Sequence, residues 1–119
     1  MKYMLLIHQG TTPTPADPEA WATLSPGEQQ QVFADYQAIN ETPGVKPGLQ
    51  LDSPETATTV RMQDGKTLIT DGPFVEIKEA IGGYLLFEAD DLDAAIELAS
   101  RIPAARLGGA VEVRPIVEW

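Results

Sequence analysis

An α+β fold is predicted by three features of the sequence. Two short runs, Lys2–His8 and Gly82–Glu88, are apolar at odd and even positions alike. Two longer stretches carry helix caps and helical spacing, and an Asp64-Gly65 pair separates two segments that read as strands. At 119 residues, 43% of them hydrophobic and none cysteine, the chain fits a single domain spanning 1–119. Its core needs no disulfide or metal staple.

In Lys2–His8, Tyr3, Leu5 and Ile7 point to one face and Met4 and Leu6 to the other, the pattern of a strand covered on both sides. The Pro- and Thr-rich Thr11–Pro18 segment reads as loop. It closes on Asp17-Pro18-Glu19, an N-cap with proline at the first helical position, which opens a short turn around Trp21. Ser25-Pro26-Gly27-Glu28 repeats the signal, since Ser25 can cap and Glu28 lies three residues on, as a capping box requires. Val32, Phe33, Tyr36 and Ile39 recur at helical spacing and predict a helix over Pro26–Asn40. Pro43-Gly44 and Pro47-Gly48 end it and disfavour regular structure for several residues.

Thr56–Met62 is β-branched and alternating, with Val60 and Met62 on one face. Asp64-Gly65 is a two-residue hairpin signal, because glycine supplies the positive φ of a primed turn; Lys66–Thr70 is expected to fold back antiparallel. Gly82–Glu88 is a second buried strand. Asp90 is expected to cap the next helix, with Asp91 and Asp93 in its first turn and Leu92, Ala95, Ile96, Ala99 and Ile102 as its apolar stripe. Arg101 complements the dipole in the last turn, and Pro103 stops the helix. Ala110–Val117 is a last strand that Pro115 keeps at an edge.

Taking the second arm of the hairpin as a core strand gives β-α-β-β-α-β, the ferredoxin-like arrangement, with Thr56–Met62 as an added edge strand. Both helices then cover one face of the sheet. The other face is apolar in both central strands, and leaving it wet forgoes about 1.5–3 kcal/mol per large side chain. A homodimer of the dimeric α/β-barrel kind buries it. The Thr11–Trp21 segment folded over the sheet is the other way to do so.

Eighteen acidic against eight basic side chains give a formal net charge of -10 and a pI near 4.3. Such a surface lacks the cations that neutralise phosphates, so nucleic acid and anionic membrane are excluded as partners. The apolar start is short and runs into Gln9–Pro18 rather than a signal-peptide core, and no stretch approaches the ~18 apolar residues of a membrane span. A cytoplasmic protein is expected.

Several runs share one pattern: Met1–Ile7 at the start, Thr56–Arg61, Asp64-Gly65, Thr70-Asp71-Gly72-Pro73-Phe74 with Val75–Glu79 after it, Gly82-Gly83-Tyr84, Ile102-Pro103 and Val111–Pro115. Together they are similar to the DGPF branch of the YCII-related proteins over nearly the whole chain. The resemblance implies a ferredoxin-like dimer and, for most members, no established activity. It also implies a regulatory setting, because DGPF genes often sit beside genes for extracytoplasmic-function sigma factors. Related branches include an enzyme of chlorinated-aromatic breakdown, with a site pairing histidine and aspartate. This sequence has one histidine, His8, so a site needing a second one does not carry over.

Asp71-Gly72-Pro73-Phe74 reads first as the turn ending the hairpin strand, with Phe74 plugging the core; Asp71 is also a candidate acid, base or ligand contact. In an extended segment Glu76 and Lys78 share one face and Glu79 lies on the apolar one, where a carboxylate must be paired or hold its proton. Asp71, Glu76, Lys78 and Glu79 are thus the catalytic candidates, for proton transfer of a lyase or isomerase type, against an ion-paired surface strand. His8 and Asp71 are expected at one end of the sheet with a strand between them, roughly 9–10 Å apart, which suits groups flanking a small ligand. Arg61 and Arg114 are candidate carboxylate clamps, although lone arginines on strands more often pair with neighbouring acids. Asp90, Asp91 and Asp93 fit a helix start better than a metal site, and no cofactor fingerprint is present. Two functions follow: a small-molecule enzyme, or a non-catalytic dimer that binds a small ligand or a regulatory protein.

Overall fold

The first strand runs through the middle of a four-stranded sheet, and its surroundings explain why both its faces are apolar. A computed structural model describes residues 1–52, 54–72 and 81–118. In chain order the elements are β1 (Lys2–His8), α1 (Pro18–Trp21), α2 (Pro26–Asn40), β2 (Val45–Gln50), β3 (Thr58–Gln63), β4 (Lys66–Asp71), β5 (Ile81–Glu88), α3 (Leu92–Ser100) and β6 (Ala110–Pro115). The sheet order is β2-β5-β1-β6 with every pairing antiparallel, consistent with a ferredoxin-like arrangement of β1-α2-β2-β5-α3-β6.

The second core strand is not the one expected. Val45–Gln50 takes that place, and the hairpin β3–β4 forms a separate two-stranded ribbon rather than an edge of the main sheet. Pro47-Gly48 does not prevent the strand, because β2 lies at the sheet edge, where proline loses no ladder on its open side. The ladder to β5 does pay locally, with a register break between Pro47 and Gln50. The ribbon turn is as expected: Asp64 and Gly65 both have positive φ, 51° and 73°, which matches the right-handed strand twist.

Local signals set the helices. Ser25 Oγ accepts from the Glu28 amide and the Glu28 carboxylate accepts from the Ser25 amide, each at 3.2 Å, closing the capping box. Asp17 caps α1 as expected. On α3 the cap is Asp91, not Asp90: its carboxylate accepts from Ala94 N at 2.9 Å. With the helix so placed, the buried stripe is Ala95, Leu98, Ala99 and Ile102, spaced i, i+3, i+4 and i+7, while Leu92 and Ile96 are exposed.

α2 and α3 cover one face of the sheet. Tyr3, Leu5 and Ile7 of β1 and Leu85 and Phe87 of β5 meet Ile39, Leu98 and Ile102 there, all buried. On the opposite face Met4, Leu6, Tyr84 and Leu86 are half-buried. Cross-strand register lines up Lys46, Leu86, Met4 and Arg114 in one row and Tyr84, Leu6 and Glu112 in the next, an apolar centre with charged flanks. The Thr11–Trp21 segment is held elsewhere: the Trp21 ring packs edge-on against Phe33 at 5.5 Å, and Thr11 N donates to Gly108 O. Val60, Met62 and Ile69 share one face of the ribbon and are exposed. Among the described residues no helix is long and apolar enough to cross a membrane.

Candidate functional site

Where β1 ends, the chain leaves the sheet through Gln9 and Gly10 and turns toward α2, on the helix-covered side. Gly10 takes φ +56°, and a Cβ there would lie 2.4 Å from Gly108 O, so the turn fits only glycine. The loop that follows, Thr12–Pro15, faces Phe33, Tyr36 and Asn40 on α2 across a pocket of about 240 Å³. The remaining walls come from Pro47–Gln50 of β2 and Gly82–Leu85 of β5. Burial pushes the Tyr36 phenol above its ordinary value of 10.0, with Arg106 opposing. Arg106 is itself ion-paired to Asp35 at 2.7 Å.

A second polar group lies on the open face of the sheet. β6 alternates Val111 and Val113 toward the helices with Glu112 and Arg114 away from them, so both charges stand beside β1. Glu112 Oε1 lies 3.2 Å from His8 Nε2, and Glu112 Oε2 accepts from Arg114 Nε at 2.8 Å and from Arg114 Nη2. Arg114 first and His8 second hold the Glu112 carboxyl below its ordinary value of 4.5. The carboxylate is engaged by both partners, and this clasp ties β1 to β6.

A family description, YCII-related domain, matches residues 1–119. The chain belongs to the YCII-related family. It is similar to an uncharacterised protein of Rhizobium meliloti (strain 1021), 31% identical over 121 residues that cover 98% of this chain and 92% of that protein.

Within this YCII-related domain the residues singled out from sequence fall into three groups. His8 and Arg114 are brought together through Glu112. Asp71 ends β4 opposite Thr58, and Arg61 sits in β3 opposite Leu68; both are exposed on the ribbon. Glu76, Lys78 and Glu79, like Phe74, lie outside the described residues. The expected spacing between His8 and Asp71 assumed one shared sheet; with β4 in the ribbon that assumption fails. Beside Asp71, Gly72 takes φ +96°, its amide donates to Ala57 O at 2.7 Å and its carbonyl accepts from Thr59 Oγ1 at 2.7 Å, while Pro73 lies outside the described residues.

Of the seven candidates, those within the described residues do not line the pocket of this YCII-related domain. The residues that do, Gln9, Thr12, Tyr36, Asn40 and Gln50 among them, carry no motif of their own. Glu112 was legible in principle, as the acid two residues before Arg114 on an alternating strand. Among the described residues no group of three or more His, Asp or Glu side chains is placed to hold a metal ion.

Proposed function

We propose that this protein is a small-molecule-binding homodimer of the DGPF branch, serving as an accessory or regulatory module rather than as a catalyst. The pocket between Thr12–Pro15, α2 and the β2–β5 wall carries the reading: it is concave, mixed apolar and polar, and built on the sheet end. A thermal-shift screen of small molecules tests it, because a ligand that binds only the native state raises the melting temperature. Hits are expected; a screen without any overturns the reading.

The dimer is supported by the open sheet face, whose centre is Met4, Leu6, Tyr84 and Leu86. It is supported further by the Thr11–Trp21 segment, whose contacts run to α2 and Gly108. Light scattering after a sizing column is expected to give twice the 12.9 kDa of one chain. In the setting that the DGPF resemblance implies, the ligand-loaded dimer would act on sigma-factor control. The enzymatic alternative works through Asp71 with Glu76, Lys78 and Glu79. Asp71→Asn separates the two: binding of the screen's hits is retained on our reading and lost on the enzymatic one.

A further inference from the structure

We infer that the pocket selects an uncharged, amphipathic molecule of about ten non-hydrogen atoms, held through amide and hydroxyl contacts, and discriminates against ions of either sign. This rests on the ligand-binding reading above and adds the class of ligand.

The pocket exists because side chains are missing. Gly83 lies between Ile7 and Gln50 in the row of β5 that faces the helices, where Leu85 and Phe87 fill the neighbouring positions. A Cβ at Gly83 would meet Leu49 O at 3.2 Å, Gln50 Cα at 3.7 Å and Ile7 Cδ1 at 3.9 Å, so a larger side chain there would enter the cavity. Gly82 has another part. Its absent Cβ is where Gln9 rests, with Gln9 Oε1 at 2.4 Å from that position, which holds the amide at the rim. Within Gly82-Gly83-Tyr84, a mark of the resemblance with no role attached to it, Gly83 is therefore what hollows the site.

The wall chemistry sets the class. None of the eighteen described lining residues is Asp, Glu, Lys, Arg or His, although a chain that is 22% charged would place about four there. Polar groups on the wall come instead from the amide side chains of Gln9, Asn40 and Gln50 and from the hydroxyl side chains of Thr14 and Tyr36. An ion entering this wall would lose hydration and find no counter-charge among the described lining residues. A net charge of -10 adds long-range repulsion of anions. The size follows from scale: a cavity of about 150 Å³ takes benzene, so about 240 Å³ takes a molecule somewhat larger.

Benzamide, benzoate and benzamidine are near-isosteres that are neutral, anionic and cationic at pH near neutral. They can be titrated into the ¹⁵N-labelled full chain and followed by amide shifts. Benzamide is expected to move the signals of Gly82 and Gly83 and the side-chain amides of Gln9, Asn40 and Gln50. The two ions are expected to bind at least about tenfold more weakly, as loss of a favourable site interaction allows. Gly83→Val fills the space and should abolish the benzamide shifts. Tyr36→Phe keeps the ring and removes the hydroxyl, and should weaken benzamide roughly two- to tenfold, the range of one hydrogen bond. An ion binding as tightly as benzamide overturns the charge selection and leaves ligand binding intact. An unchanged affinity in Tyr36→Phe overturns the polar contact. No pocket shift with any of the three probes overturns the inference, and only an empty thermal-shift screen as well would overturn the proposed function.

Discussion

Replacing Gly48 by alanine tests the strand that sequence patterns disfavour. A Cβ built at Gly48 lies 2.0 Å from Tyr84 O and 2.6 Å and 2.7 Å from two carbons of the Tyr84 ring. Ordinary contact begins near 3.4 Å, so β2 and β5 would have to part by more than 1 Å. The ring can turn, but the carbonyl belongs to a strand paired on both sides and cannot. We expect overpacking of about 1–3 kcal/mol. One or two ladder bonds beside the existing register break would weaken as well, at about 1 kcal/mol each. Together these give about 3 kcal/mol, or a fall in Tm of roughly 12 °C for a domain of this size. Urea unfolding at fixed protomer concentration measures it. Gly27→Ala is the control: it sits in the first turn of α2 with its nearest neighbour, Ser25 Oγ, at 3.9 Å. That change should stabilise by about 0.5–1 kcal/mol. A cost below about 1 kcal/mol for Gly48→Ala would refute the close approach of β2 to Tyr84, and with it one wall of the pocket.

Glu112→Gln should flatten the acid limb of the stability curve. A carboxyl whose folded pKa is depressed contributes stability that is present above its unfolded value, near 4.5, and lost as pH falls through the lowered one. Parallel pH profiles of parent and variant below that value would count against the clasp. Ser25→Ala removes the α2 cap and should cost about 1 kcal/mol in the same unfolding assay; no change would mean that the capping box is not formed in solution. Leu6→Glu places a charge in the centre of the open face, and light scattering is expected to show a single-chain mass. A variant that keeps the double mass would move the interface elsewhere.

Features governed by near neighbours in the chain were legible. The capping box of α2, the Asp17 cap and the primed Asp64-Gly65 turn each depend on residues within a few positions, so short patterns suffice. Asp91 displaced Asp90 because adjacent acids compete for one cap, and the choice follows how the stripe Ala95, Leu98, Ala99 and Ile102 meets the core. β2 was hidden for another reason: Pro47-Gly48 breaks structure locally, but an edge strand needs only one partner, and that partner, β5, lies more than thirty residues on. The hairpin could be read, but its separation from the sheet could not, since nothing local says what a ribbon docks against. The clasp joins His8 to Glu112 across 104 positions. The pocket was harder still, because glycines that leave space and amides without charge have no chemical signature in a sequence.

Both borders of the main sheet carry a proline, Pro47 on β2 and Pro115 on β6. Proline offers no amide hydrogen, so neither border is a clean template for another strand to continue the ladder. Growth of the sheet sideways into open-ended stacks is thereby discouraged. The broad face of the sheet carries no such block, so the proposed pairing of two copies there would close rather than propagate.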